Sequence, residues 1–226
     1  MHVLRDFCLK KNMGKKEIIK KKKSGKLKPT YNGIEFDSDA EVEFFMFLED
    51  LKKNKLIKDF IYQPPTYTLI PKVTEIKTVQ LKTKTKQVEK TLYRAHEYTA
   101  DFLIKIIPET FEKIDPKHVL RINNDNTILV DIKGTYNDYG GDRIYKIHEK
   151  MMYYFFKLHL NKVVPEEYFK AIKIAPDRIR WMKNRKSPTL RKSYINTVSV
   201  EEFCKRNENQ TNHSTKTINI PGLPCF

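Results

Sequence analysis

Apolar residues recur at helical spacing in two long stretches of the chain. The first follows Ser38, whose spacing to Glu41 forms a capping-box pattern, and it predicts a helix from Asp39 to Lys53. The second lies in residues 144–160 and predicts another long helix. The residues predicted to form its buried face are Ile144, Ile147, Met151, Tyr154, Phe155 and Leu158.

Between the helices the pattern changes to short apolar runs and to alternation of apolar and polar residues, both typical of strands. The predicted strands are residues 66–70, 98–104 and 127–132. Near-alternating Thr, Val and Lys in residues 73–93 predict one long hairpin with its turn near residues 83–86. Its lysines suit contact with DNA and equally prevent aggregation through exposed edges, so the pattern leaves both roles open.

The chain length of 226 residues is enough for one compact α/β domain with extensions. The domain is predicted at residues 33–186, between a basic, flexible arm at residues 1–32 and a partly flexible C-terminal extension at residues 187–226. Its remaining predicted segments are a loop at residues 108–126, a further edge strand at residues 162–175 and a short basic helix at residues 177–186.

Charge narrows the class of partner. The formal net charge is +16, so the chain is expected to bind a polyanion, either nucleic acid or an anionic membrane. No apolar run approaches the roughly 18 residues of a membrane span, and the N-terminal residues lack the apolar core of a signal peptide. We therefore expect a cytoplasmic protein with a nucleic-acid partner and no membrane association. Three widely spaced cysteines indicate neither a disulfide framework nor a zinc site.

The basic arm holds ten lysines and one acidic residue between Lys10 and Lys28. One interpretation is a solvated tail that keeps the protein soluble. The favoured interpretation is a segment that lies along DNA phosphates and adds affinity without sequence information. The residues of the arm predicted to bind DNA are Lys20, Lys21, Lys22 and Lys23.

The candidate chemistry begins at residues 129–134, an apolar run in which Asp131 and Lys133 point to the same side of a strand. Alone, such a pair is most often a surface ion pair. The chain also carries Asp101 on an earlier predicted strand and Glu41 in the first turn of a predicted helix. This ordered set suits metal-assisted phosphodiester hydrolysis, because Mg²⁺ prefers oxygen ligands and a lysine can orient water or neutralise charge on phosphorus.

Three segments in order, residues 38–41, 98–102 and 130–134, resemble the motifs of the PD-(D/E)xK nuclease superfamily. The wider context is similar to the small phage-type branch related to Holliday junction resolvases, with Gln63 before a strand and a lysine-bearing helix after the last motif. The resemblance covers residues 33–160, and Ala100 stands where the superfamily often has its proline.

The resemblance implies a restriction-endonuclease-like core, in which a mixed central sheet is flanked by helices. It assigns Asp101, Asp131 and Glu41 to a metal ion and adds Lys133 as the catalytic lysine. Its capping position gives Glu41 a structural role of its own, and Glu43 is close by in the same helix. The identity of the helical acid therefore stays open between these two glutamates.

The function implied is a Mg²⁺-dependent endodeoxyribonuclease, with Mn²⁺ able to substitute, that cuts branched DNA in phage recombination or DNA processing. Symmetric cutting of a four-way junction requires two active sites related by a two-fold axis, so a homodimer is predicted. Gln63, Lys146 and Lys150 are further predicted DNA contacts. The alternatives are another phage nuclease, for nicking, genome processing or degradation of host DNA, and a non-catalytic DNA-binding protein with a nuclease fold.

Overall fold

The computed structural model describes residues 27–134, 139–182 and 189–214, so Lys20, Lys21, Lys22 and Lys23 of the predicted arm lie outside it. Its strands are β1 (Thr30–Tyr31), β2 (Ile34–Glu35), β3 (Ile57–Tyr62), β4 (Tyr67–Ile70), β5 (Val73–Gln80), β6 (Thr85–Tyr93), β7 (His96–Tyr98), β8 (Phe102–Ile106), β9 (Thr127–Ile132) and β10 (Leu160–Val163). Its helices are α1 (Asp39–Lys53), α2 (Pro108–Ile114), α3 (Tyr139–Phe156), α4 (Pro165–Ile172), α5 (Asp177–Arg180) and α6 (Val200–Ser214), with a 3-10 helix at Lys192–Tyr194. Within these described residues no helix has the length and apolar character needed to cross a membrane.

The central sheet has four strands in the order β10, β9, β8 and β3. Strand β10 runs parallel to β9, whereas β8 runs antiparallel to both of its neighbours. The register places Phe102 opposite Val130 and Leu160 opposite Leu129. All six residues of β9 are buried, because strands flank it on both sides and helices cover both faces of the sheet. The predicted α/β class, with a mixed sheet flanked by helices, is confirmed at this level.

Helix α1 covers one face of the sheet and has its predicted bounds. The Ser38 hydroxyl accepts a hydrogen bond from the Glu41 N–H at 3.2 Å, so the predicted capping interaction is present. Phe44 is fully buried, and its ring meets that of Phe102 on the sheet edge-on at 5.3 Å between centroids. Helix α4 lies beside α1 on the same face, where Phe169 stacks on Phe44 at 6.4 Å.

Helix α3 covers the other face of the sheet, beside the paired strands β4 and β7. Met152 is fully buried in a cluster with Leu129 and Leu160, and the Tyr145 hydroxyl donates to the Leu160 carbonyl at 2.8 Å. The predicted buried face of this helix is wrong, since four of its members are half or more exposed: Ile144 (57%), Ile147 (53%), Tyr154 (72%) and Phe155 (50%). The helix is apolar on more than one side, so periodicity alone did not identify the side that meets the sheet.

Two other predicted segments are wrong because a proline begins a helix in each. The predicted loop at residues 108–126 contains α2, which begins at Pro108. The predicted strand at residues 162–175 is the edge strand β10 only as far as Val163, and Pro165 then begins α4. Both helices bury aromatic side chains in the same core as α1, and this packing stabilises them.

The predicted helix at residues 177–186 is also wrong in extent. Helix α5 ends at Arg180, and Trp181 has extended backbone and pairs with Leu190 in an isolated bridge. Beyond the predicted domain boundary at residue 186, Tyr194 and Val200 are buried in the same core as α1. The C-terminal part of the described chain therefore packs on the domain.

Strands β5 and β6 form the predicted hairpin as an arm outside the central sheet. Its turn is at residues 81–84, two residues earlier than predicted, where the Leu81 N–H donates to the Lys84 carbonyl at 2.8 Å. Every residue of both strands except Glu75 is exposed. The hairpin therefore adds surface and charge to the molecule and almost nothing to its core.

Candidate functional site

Two aspartates meet where β8 begins and β9 ends. Asp101 directly precedes β8, and Asp131 is the second-last residue of β9. Because the strands are antiparallel, the Asp101 N–H donates to the Val130 carbonyl at 3.0 Å, and Asp101 Oδ2 accepts from the Ile132 N–H at 2.6 Å. The strand register thus brings together two carboxylates that are thirty residues apart in sequence.

Asp131 and Lys133 lie on the same side of the chain, as the strand alternation predicted. The Lys133 Nζ is 2.7 Å from Asp131 Oδ2, and Asp131 is only 7% exposed. The Tyr98 hydroxyl donates to Asp131 Oδ1 at 3.1 Å. Burial and the nearby Asp131 charge raise the pKa of Tyr98 above its usual range, so the hydroxyl stays protonated and continues to donate.

Glu41 is buried at the start of α1 and receives three donors. Its Oε1 accepts from the Ser38 hydroxyl at 2.8 Å, and its Oε2 accepts from the Asp37 N–H at 3.2 Å. The Tyr62 hydroxyl also donates to Oε2, at 2.9 Å. Gln63 joins this group, because its side-chain amide donates to the Tyr62 hydroxyl at 3.3 Å. Glu41 is therefore both a helix-capping residue and part of a polar network beside the aspartates.

The backbone of Gln63 connects the two parts of the site. The Gln63 N–H donates to the Asp101 carbonyl at 2.8 Å, and Gln63 has a positive φ of 47°. A left-handed residue that is not glycine costs free energy, so the surrounding hydrogen bonds must hold it in place. Gln63, predicted as a DNA contact, thus lies at the site, between the helical glutamate and the first aspartate.

The surroundings of Asp101 raise the pKa of its carboxyl group. Burial raises the pKa of the Asp101 carboxyl to about 7, although the hydrogen bond from the Ile132 N–H lowers it. The negative charges of Asp131 and Glu41 raise the pKa further, and Lys133 partly offsets them. The site thus has an excess of negative charge, which a bound cation would relieve.

The two candidate glutamates face different surroundings. Glu41 is among the charges that raise the pKa of Asp101. Glu43 instead lies close enough to Tyr194 to raise the pKa of that hydroxyl, on the side of α1 that meets the C-terminal segment. The structure thus places Glu41 with the aspartates and turns Glu43 toward the 3-10 helix.

The predicted DNA-contact lysines of α3 lie outside the carboxylate cluster. Lys146 and Lys150 are both exposed, and Lys150 lines a surface cavity near the C-terminal end of the helix. The lysine nearest to Asp131 on the neighbouring strand is Lys162, which is its register partner on β10 and bonds to Asp142. The pattern did not identify Lys162, because the pairing of β10 with β9 is not readable from sequence.

Sequence reasoning also missed the aromatic and histidine residues around the carboxylates. Tyr62 and Tyr98 each donate to a site carboxylate. The ring of His148 packs on Tyr98 at 4.6 Å between centroids, and its Nε2 is 3.0 Å from the Nε2 of His96. A tyrosine three residues before Asp101 was the available signal, whereas His148 was hidden because the wrong face of α3 was predicted to be buried.

Residues 20–165, about two thirds of the chain, match the family described as "Protein of unknown function (DUF1064)". The chain belongs to the DUF1064 family. The match includes both aspartates, Glu41 and Lys133. No curated protein and no solved structure matches the chain.

The donor set of this DUF1064 chain suits a hard divalent cation, which prefers carboxylate and carbonyl oxygens. Asp101 uses Oδ2 for a backbone N–H, so Oδ1 is the oxygen that it can offer. At Asp131 a cation would compete with Lys133 for Oδ2. In the described parts of the chain, no three His, Cys, Asp or Glu side chains form a ready-made metal site. The observation that favours a cation is that the Asp101 and Asp131 carboxylates meet where β8 begins and β9 ends, with the charge of Glu41 nearby.

Proposed function

We propose that this chain is a divalent-metal-dependent endodeoxyribonuclease of the PD-(D/E)xK type, with a restriction-endonuclease-like core. The observation that carries the proposal is the Asp131–Lys133 pair at the end of the buried central strand, with Asp101 hydrogen-bonded to the residue between them. Holding three ionisable groups together, one buried and two partly buried, is costly for folding, so a site of this kind indicates chemistry more than stability. The order of the motifs along the sequence supports the same assignment.

Asp101 and Asp131 would hold the cation, with the strand backbone supplying a further oxygen. When bound, Mg²⁺ or Mn²⁺ supplies Lewis-acid activation of the phosphodiester and of the attacking water. Tyr98 would fix the Asp131 rotamer through its hydrogen bond to Oδ1. Glu41, already bonded to three donors, would act on the cation site through its charge and through ordered water.

Lys133 would carry the remaining chemistry. Its ammonium group lies at the edge of the site and is partly exposed, so it can reach a phosphate that approaches from solvent. There it would orient the attacking water and neutralise negative charge that grows on the phosphoryl oxygens. If Asp131 held the cation, Lys133 would be free to leave its ion pair with that carboxylate and contact the substrate.

The favoured substrate is branched DNA, cut by a homodimer whose two-fold axis matches that of a four-way junction. The positive charge of the chain supports a DNA partner, and the exposed hairpin adds six lysines and two glutamates over residues 72–93. Such charge attracts any DNA, so it leaves junction preference to experiment.

The experiment compares wild-type protein on a four-way junction and on linear duplex of the same sequence, with Mg²⁺ and with EDTA. We expect Mg²⁺-dependent cleavage that is faster on the junction, and Asp131→Asn should be inactive on both. Equal rates on the two substrates would contradict junction selectivity and favour the alternative of another phage nuclease. Absence of cleavage under every condition, with DNA binding intact, would favour the non-catalytic DNA-binding protein.

A further inference from the structure

A cavity of about 460 Å³ lies on the surface at the C-terminal end of α3. Its walls come from the last turns of α3, the loop that precedes β9 and the segment between α3 and β10. The side chains that matter here are aromatic or basic: Arg121, Lys150, Tyr153, Tyr154, Lys157 and His159. None of them belongs to the carboxylate site.

The aromatic rings form an ordered group that is partly exposed to solvent. Tyr153 packs on His159 with 4.9 Å between centroids and 32° between the ring planes. Lys157 Nζ is 5.6 Å from the centroid of Tyr153 and 5.7 Å from that of Tyr154, within the range of cation–π attraction. Tyr153 is 49% exposed and Tyr154 72% exposed. A planar ligand can stack on aromatic rings that are exposed in this way.

Positive charge surrounds these rings. Arg121, Lys150 and Lys157 line the cavity together with a single acid, Glu149. Glu149 is paired with Arg121 at 3.4 Å, so the cavity keeps a net positive charge near the tyrosines. Aromatic faces combined with cations are the features by which proteins bind unpaired nucleotides without sequence preference.

Buried amides connect the cavity to the catalytic strand. Asn161 Oδ1 accepts from the Arg121 N–H at 2.8 Å, and its Nδ2 donates to the Leu129 carbonyl at 3.0 Å, two residues before Asp131. On the other side, Asn123 Oδ1 accepts from the His159 N–H at 2.6 Å. The cavity is thus held in a defined position relative to the carboxylates, on rigid structure.

Helix α3 connects the two sites. His148 in its middle packs on Tyr98, whose hydroxyl donates to Asp131, whereas Tyr153 in its last turns lines the cavity. Both sites therefore lie along one helix.

We infer that the cavity is a second nucleic-acid subsite, which binds one unstacked DNA base on Tyr153 and Tyr154 and its phosphate on Lys150 and Lys157. This inference rests on the proposed function and specifies its substrate: DNA that carries an unpaired nucleotide near the cut. A duplex keeps its bases stacked and cannot fill the subsite without losing that stacking energy.

The test measures binding by fluorescence anisotropy in EDTA, so that cleavage does not contribute. The probes are a single-stranded oligothymidine, a perfect duplex and the same duplex with one bulged thymidine. We expect Tyr154→Ala to weaken binding of the single strand and of the bulged duplex by about 5- to 20-fold. Binding of the perfect duplex should change less than about 2-fold, because phosphate contacts dominate it.

Two variants act as controls. Tyr154→Phe keeps the ring and should bind all three probes within about 2-fold of wild type, since stacking needs no hydroxyl. Ile195→Ala removes another exposed apolar side chain, 61% exposed, from a different surface and should have no effect. Lys150→Gln should weaken all probes and lower the salt slope by about one.

The outcomes separate this inference from the proposed function. Unchanged binding of unpaired DNA by Tyr154→Ala, alongside Mg²⁺-dependent cleavage that Asp131→Asn abolishes, would overturn the subsite and leave the nuclease in place. Equal weakening of all three probes by Tyr154→Ala would also overturn it, since base stacking would then play no part.

A change in oligomeric state with unchanged DNA binding, seen by sedimentation, would assign the cavity to a protein contact. Selective binding of unpaired DNA through Tyr154 without any cleavage would support the subsite and overturn the nuclease.

Discussion

Strand β9 and the hairpin β5–β6 are both rich in β-forming residues, yet β9 lies in the core and the hairpin lies on the surface. All six residues of β9 are buried, whereas every hairpin residue except Glu75 is exposed. The charged residue of β9, Asp131, is buried and has a fixed ion-pair partner in Lys133. A charged residue in the hairpin is solvated and screened. Position in the tertiary structure, and not residue type, makes one lysine a candidate catalyst and another a contributor to net charge.

The largest effect is expected from Lys133, which tests whether pairing with a buried carboxylate gives a lysine a specific role. Lys133→Met should reduce the Mg²⁺-dependent cleavage rate by about 10²- to 10³-fold, because an electrostatic contact to the reacting phosphate is lost. DNA binding should stay within about 3-fold of wild type, since many other lysines remain. The measurement is single-turnover cleavage together with binding in EDTA. Lys105→Met, on the exposed side of β8, is the matched control and should cleave normally. Equal activity of the two variants would show that Lys133 has no role that an exposed lysine lacks.

The second prediction concerns Asp101 and pH. The folded-state pKa of about 7 lies above the ordinary value of 3.8, so the carboxyl destabilises the fold once it ionises. Without metal, this penalty is absent below pH 4, grows as the pH rises from about 4 to about 7, and is complete above pH 7. Asp101→Asn should therefore be more stable than wild type by about 4 kcal/mol at pH 8 and equal to it near pH 4. Urea denaturation in EDTA at both pH values measures the difference.

A matched aspartate sharpens this prediction. Asp59 is exposed and paired with Lys52, and that hydrogen bond lowers its pKa. Asp59→Asn should therefore be no more stable than wild type at pH 8. Adding Mg²⁺ at pH 8 should stabilise wild type, because a ligand that binds the folded state raises the free energy of unfolding. Asp101→Asn should be unchanged, because it has lost a carboxylate that binds the ion. A wild-type protein indifferent to Mg²⁺ would contradict the cation site at Asp101.

The third prediction tests Tyr98, which sequence reasoning did not assign. Tyr98→Phe removes the hydroxyl that donates to Asp131 Oδ1 and should lower the apparent affinity for Mg²⁺ in cleavage by about 10-fold, as expected for a residue that orients a metal ligand. The readout is the Mg²⁺ concentration at half-maximal rate. Tyr145→Phe removes a hydroxyl from the same face of the sheet, where it bonds to the Leu160 carbonyl, and should leave this concentration unchanged. Similar shifts in both variants would indicate a general loss of packing.

The smallest effect is expected from the hairpin. Changing Lys84 and Lys86 together to Gln should weaken duplex binding a few-fold and lower the salt slope by up to about two. The free energy of unfolding should change by less than about 0.5 kcal/mol, because both side chains are solvated. Thr85→Gln is the neutral control. A salt slope unaffected by the lysine pair would favour the other interpretation of the hairpin, a surface that only prevents edge aggregation.

Much of the local structure was readable because it depends on neighbours in sequence. The bounds of α1 follow from the Ser38 cap and the apolar period, and strand alternation correctly put Asp131 and Lys133 on one side. The local pattern gave wrong predictions in two situations. In α3, apolar residues lie on more than one face, so their spacing did not identify the buried face. In α2 and α4, a proline begins a helix that the pattern of the following residues did not predict.

By itself the sequence determined the charge of the chain, the capped helix, the hairpin and the residue types of the candidate site. These depend on interactions within a few residues, where backbone geometry sets which side chains meet. Only the tertiary structure decided that Asp101 bonds beside Asp131, that Tyr98 and Tyr62 serve the carboxylates, and that α3 ends in an aromatic, basic cavity. Those contacts join residues many positions apart, so they depend on strand register and on the face each helix buries.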